Sequence, residues 1–175
     1  MSKKRRGFDD LESLGDLDEG RPTLGEFTPV KSFRALIHIG IRNHLGEKLG
    51  SVVNTFLYES GRDIGRELVN KKIINGANSI RDAISLMEEF FEKEKIGKMS
   101  FIVQEGAITR IRIDECLSCS GMNDVGEALC YFEAGLITGI IKNLLDMKVI
   151  VKERKCWGMG DKTCEFTIEN LEYET

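Results

Sequence analysis

The sequence lacks several things that would have settled its class quickly. No stretch of its 175 residues approaches the roughly 18 consecutive apolar residues of a membrane-spanning helix. Met1 is followed by Lys3, Lys4, Arg5, Arg6 and then acids, without the apolar core of a secretory leader. A soluble, cytoplasmic protein is therefore expected. Positive charge is in deficit, with 25 Lys and Arg against 29 Asp and Glu and a formal net charge of -4, so nucleic acid is not an expected partner. Histidine is scarce, and His38 and His44 lie six apart, poor spacing for a helical metal pair; each reads as a core or surface residue. No strand runs into G-x-G-x-x-G, no glycine-rich phosphate loop is present, and acid pairs such as Glu88-Glu89 and Asp9-Asp10 fall on expected solvent faces or in the tail.

What is present suffices for one compact domain with a real core: 41% of the residues are hydrophobic and 31% charged. Residues 1–28 join a basic knot to an acidic, glycine-containing stretch and read as a flexible charged tail, in which Leu11, Leu14 and Leu17 hint at a short docking helix. The domain is expected over residues 29–175. Apolar positions from Phe33 to Leu57 predict a first helical element with a break near Gly40, and Ser60-Gly61 suggests a turn before a second helix through Ile64, Leu68, Ile73 and Ile74. Asn78 or Ser79 caps a third helix carrying Ile80, Ala83, Ile84, Met87, Phe90 and Phe91. Lys98 to Val103 and Ala107 to Ile113 read as a hairpin around Glu105-Gly106. A fourth helix is expected from Glu127 to Leu145, its small residues Ala128, Ala134, Gly135 and Gly139 suited to lying close on a sheet or a symmetry mate. A last β pair flanks the segment from Cys156 to Cys164. Helices followed by strands in this order make an α+β fold, an antiparallel β-sheet packed against about four helices.

Five cysteines without an export signal fit reduced thiols, and their clustering suggests metal ligation. Two quartets suit tetrahedral zinc: Cys130, Glu153, Cys156 and Cys164, or the C-x-x-C pair Cys116 and Cys119 with Cys156 and Cys164. Spacing alone does not choose between them. The first set would leave a formal charge of about -2, which the flanking Lys152, Arg154, Lys155 and Lys162 are expected to offset. A redox dithiol at Cys116 and Cys119 is a third reading, but the βαβ context of thioredoxin-like pairs is missing. Five incidental buried thiols are the plain alternative.

The segments Glu115-Cys116-Leu117-Ser118-Cys119-Ser120-Gly121, Gly126-Glu127-Ala128-Leu129-Cys130-Tyr131-Phe132-Glu133-Ala134-Gly135 and Lys155-Cys156-Trp157-Gly158-Met159-Gly160-Asp161-Lys162-Thr163-Cys164-Glu165-Phe166 resemble the 4-vinyl reductase domain family. Leu57 to Arg66 resembles the family's earlier helical signature, so the likeness spans about residues 31 to 170. It implies a small-molecule-binding α+β domain, similar in fold to subunits of the TRAPP tethering complex and to sensor domains of aromatic-responsive bacterial activators. In those sensors zinc is held by three cysteines and a glutamate, which carries over to Cys130, Glu153, Cys156 and Cys164. Cys116 and Cys119 stand outside that quartet and are expected to line the pocket or hold a second metal. Trp157 is expected to pack, shield the metal or touch the ligand.

The expected function is a cytoplasmic, homodimeric binding or sensing domain for a small hydrophobic or aromatic ligand, with zinc in a structural role. Two alternatives come from other classes. One is a reductase of a vinyl or tetrapyrrole-type substrate, for which the chain shows no hydride-carrier motif; the other is an assembly subunit docking through the tail.

Overall fold

The computed structural model describes residues 27–104 and 107–170, with the isolated positions 19, 21, 23 and 24. The basic knot, the Leu11 to Leu17 helix and the Glu105-Gly106 turn lie outside the described residues.

The first helix, α1, runs in three pieces, Val30–Arg34, a π-helical Ala35–Asn43 and His44–Leu49. Gly40 sits inside the π-helical piece; the break comes at Gly50, whose φ of 56° is in the left-handed region. Helix α2, Val52–Asn70, then passes through Ser60-Gly61 without a turn. Its buried face is Val53, Leu57, Gly61, Gly65 and Leu68, a stripe at helical spacing. Helix α3, Ile80–Lys93, begins where Ser79, in extended conformation, accepts the Asp82 N–H at 3.1 Å, while Asp82 Oδ2 accepts the Asn78 N–H at 3.1 Å. It buries Ala83, Ile84, Met87 and Phe91.

Strand β1, Lys98–Gln104, pairs with β2, Ala107–Asp114. Helix α4, Tyr131–Leu145, follows, then β3, Val149–Lys155, a 3-10 turn at Trp157–Met159, and β4, Cys164–Asn170. All pairings are antiparallel and the order is β1-β2-β4-β3. The expected α+β arrangement of four helices and an antiparallel sheet is what forms.

Helix α4 is buried from Glu133 to Ile141 without interruption, so it is the centre of the core rather than an amphipathic cover. It starts four residues later than its apolar pattern suggests. Residues 125–130 are drawn instead into loop contacts, with the Val125 and Glu127 N–H groups both donating to the Gly158 carbonyl. Its small residues do not face a sheet or a symmetry mate but helix α2. A Cβ on Gly135 would stand 1.9 Å from the Tyr58 carbonyl, and one on Gly61 2.1 Å from that of Phe132. Gly61 is therefore a packing residue, which is why the chain does not turn there.

Candidate metal centre

Five thiols meet beneath the end of the sheet, and each is brought there by a different local device. In β3, alternation turns Val149, Val151 and Glu153 inward. Residues three apart on a regular strand face opposite sides, yet Cys156 also points in. The β3–β4 register slips between Glu153 and Lys155, and this bulge lets both ligand-type side chains reach the interior. Beyond it the Cys156 carbonyl accepts the N–H groups of Met159 and Asp161, while Asp161 Oδ2 accepts the Cys156 N–H. Gly160, at φ 85°, closes that turn. Cys164 opens β4 opposite Ile113. Cys130 is the residue before α4.

Cys116 and Cys119 sit in a single tight turn after β2, with the Cys119 and Ser120 N–H groups on the Cys116 carbonyl and Gly121 at φ 80° ending it. Helix α1 holds this turn. Arg34 donates to the carbonyls of Leu117 (2.6 Å), Ser120 (2.9 Å) and Cys116 (3.1 Å), and His38 Nε2 donates to that of Ser118 at 2.8 Å. Arg42 reaches the Ala128 and Leu129 carbonyls, pairs with Glu127 at 2.9 Å and lies over the Tyr131 ring. The Arg34, His38, Arg42 stripe was not anticipated. Its signal was there, three polar residues four apart on an otherwise apolar element, and the π-helical winding keeps it on one face.

All five cysteines are fully buried and unbonded to one another. Sγ separations are 3.7 Å for Cys130–Cys164 and 3.9 Å for Cys130–Cys156. Four sulfurs at about 2.3 Å from one zinc would be about 3.8 Å apart, so these three already hold the spacing of a shared ion. Glu153 completes the set. Its Oε2 accepts the Cys130 N–H at 2.9 Å, while Oε1 is buried without a hydrogen-bond partner. Burial, and then the neighbouring Cys156 thiolate, push its carboxyl up to about 9. A buried, half-paired carboxyl beside thiols is the environment a cation relieves, so these donors fit a metal.

Cys116 and Cys119 are brought in as well. Cys119 Sγ lies 3.1 Å from that of Cys164 and 3.2 Å from that of Cys130, and Cys116 Sγ lies 3.5 Å from that of Cys130. Two groups of four therefore have ligand atoms mutually within 4.8 Å: Cys130, Glu153, Cys156, Cys164, and Cys116, Cys119, Cys130, Cys164. The second differs from the C-x-x-C quartet read from spacing, since Cys130 stands where Cys156 was expected. In the cluster the Cys156 thiol is pulled down, first by hydrogen bonds from Cys119 and Cys130, while its neighbours Cys130 and Cys164 are pushed up. Fully buried Glu133 accepts the Ser118 hydroxyl and lies 3.9 Å from Cys116 Sγ; burial raises its carboxyl well above the usual range.

The expected charge compensation is not what forms. Lys152 and Arg154 pair with Glu169, Lys155 with Glu165, and the Lys162 ammonium lies 5.0 Å over the Trp157 ring. These cations alternate outward on β3 or cap the indole, and Trp157 packs, partly buried, at the edge of the core.

Beside Glu153 a cavity of about 240 Å³ opens between α2, the start of α4 and β3, lined by Tyr58, Tyr131, Ala128, Ala134 and Val151. The Thr138 hydroxyl donates to the Ala134 carbonyl, so Tyr58 OH must donate to Thr138 Oγ1, at 2.6 Å. A wider apolar groove of about 420 Å³ lies between α2, α3 and α4, along Leu68, Phe90, Phe132 and Leu136.

Residues 109–170 match the family model of the 4-vinyl reductase domain. The chain is also 34% identical over 164 residues to the uncharacterized protein MJ0150 of Methanocaldococcus jannaschii, covering 91% of this chain and 86% of that one. This chain belongs to the 4-vinyl reductase domain family. The 4-vinyl reductase fold extends to solved structures of low identity. A vinyl-4-reductase family protein from Methanocaldococcus jannaschii superposes with a TM-score of 0.56 at 17% identity, covering 85% of each chain. The phenol-responsive sensory domain of the transcription activator PoxR gives 0.61 at 14%, covering 85% of this chain and 77% of that one. A trafficking protein particle complex subunit 3 from Naegleria fowleri, covalently bound to palmitic acid, gives 0.59 at 19%, covering 82% and 98%.

Proposed function

We propose that residues 29–175 form a ligand-binding domain, cytoplasmic and sensory in role, in which zinc held by Cys130, Glu153, Cys156 and Cys164 ties the start of α4 to the β3–β4 loop. The observation that carries this reading is that Glu153 belongs both to the metal-type quartet and to the wall of the 240 Å³ cavity. A closed set of four protein donors gives zinc a structural role. The chain's own residues do the recognition: Tyr58 and Tyr131 offer aromatic faces and hydroxyls, Ala128, Ala134 and Val151 an apolar floor. That lining suits a small aromatic such as phenol, the ligand of the PoxR sensory domain, whose fold is similar. Residues 1–28 would be a charged tail outside the domain.

The exposed apolar residues Leu36, Ile39, Val52 and Phe56 on α1 and the start of α2 support a homodimer through that surface. Phe56→Glu should then give monomers in sedimentation equilibrium.

Calorimetric titration of phenol into the zinc-loaded chain tests the ligand reading. Saturable binding that Ala128→Trp abolishes supports the cavity. Binding lost in Leu68→Trp but kept in Ala128→Trp moves the ligand to the apolar groove, and no heat with phenol or its alkyl derivatives overturns the aromatic assignment.

A further inference from the structure

We propose that the five cysteines and Glu153 hold two zinc-class ions, which share the thiolates of Cys130 and Cys164. The proposal deepens the single-zinc reading above and rests on it for the first ion. Two groups of four ligand atoms, each compact enough for one ion, have Cys130 and Cys164 in common. Two four-coordinate ions need eight donor positions. Cys116 and Cys119 at one end and Glu153 and Cys156 at the other supply four, and two bridging thiolates supply four more.

Cys130 is placed as a bridge. Its sulfur lies 3.5 Å from that of Cys116, 3.2 Å from Cys119, 3.9 Å from Cys156 and 3.7 Å from Cys164, so it is in contact with all four other thiols. Cys164 joins Cys119 at 3.1 Å to Cys130 at 3.7 Å across the same centre. Cys116 and Cys119 are the ends of one C-x-x-C turn, the usual zinc half-site, and touch the second ion's position only. The half-site is secured from outside by Arg34 on the Cys116, Leu117 and Ser120 carbonyls, and Glu133 with Ser118 supplies an outer contact to Cys116.

Charge permits it. One dication with three thiolates and a carboxylate carries a formal -2. Adding a second dication together with the two thiolates of Cys116 and Cys119 changes nothing, since +2 and -2 cancel. The two protons those thiols release go to solvent, as in any thiolate–zinc site.

Native mass spectrometry with elemental analysis of the full chain, purified from zinc-supplemented medium, counts the ions. Two zinc per chain is the expected result. One zinc overturns the shared cluster and leaves the single-zinc reading standing; none, or iron with acid-labile sulfide, overturns both. In the cadmium-113-substituted chain two metal resonances are expected, with the β-protons of Cys130 and Cys164 correlated to both. Two resonances without a shared cysteine overturn the bridging. Cys116→Ser/Cys119→Ser should lower the count from two to one, and if that variant does not fold, the wild-type cadmium correlations decide alone.

Discussion

The Cys130 backbone N–H donates to Glu153 Oε2 at 2.9 Å, and this one bond joins the start of the central helix to the bulged strand β3. It orients the carboxylate so that the other oxygen, Oε1, faces the buried thiols without a hydrogen-bond partner.

Glu153→Gln preserves the acceptor for Cys130 and removes the charge. Zinc affinity, measured by competition with a chromophoric chelator, should fall by at least about tenfold, the lower end of what even outer-shell partners cost. Unchanged affinity would remove Glu153 from the ligand set.

The α2–α4 contact should be intolerant of a single methyl group. Gly135→Ala places a Cβ 1.9 Å from the Tyr58 carbonyl, backbone against backbone, and should cost about 3 kcal/mol in urea unfolding. Gly46→Ala is the contrast, since nothing lies within 4 Å of its Cβ in a helical stretch. It should be neutral or stabilising by about 0.5–1 kcal/mol.

The α3 helix and both β pairs were legible because local pattern and tertiary role agree there: Ser79 caps, Ala83, Ile84 and Met87 repeat, and strands alternate. Gly61 misled because one letter serves both turns and close packing, and its partner Phe132 lies 71 residues away in the chain. The cysteines could be sorted into quartets by spacing and by family resemblance. Their convergence into one five-thiol cluster could not be read, because it depends on Arg34 and His38 gripping a loop more than 80 residues downstream.

That grip is testable. Arg34→Lys keeps the charge but cannot reach the Cys116, Leu117 and Ser120 carbonyls together, and should cost about 2 kcal/mol in chemical unfolding. Hydrogen exchange should quicken in residues 116–120 before it does elsewhere.

His38 ties the same loop to pH. Burial lowers its pKa, with Arg42 and Arg34 adding to the effect, against the opposing bond to the Ser118 carbonyl and the charge of Cys156. It is thus neutral in the fold at pH values where the unfolded chain, near 6.5, takes up a proton. Its contribution is full above about 6.5 and declines as pH falls through that value. His38→Gln, which keeps a donor for Ser118, should flatten the stability profile between about pH 6.5 and 5. An unchanged profile would show that His38 titrates as it does in the unfolded chain.

Phenol binding and thermal unfolding of one preparation, before and after chelation and again after zinc is restored, test the metal-clasped binding domain most directly. The expected result is that chelation lowers the melting temperature and abolishes binding together, and that zinc restores both. A chelated, metal-free chain that melts at the same temperature and binds phenol equally well would contradict the account.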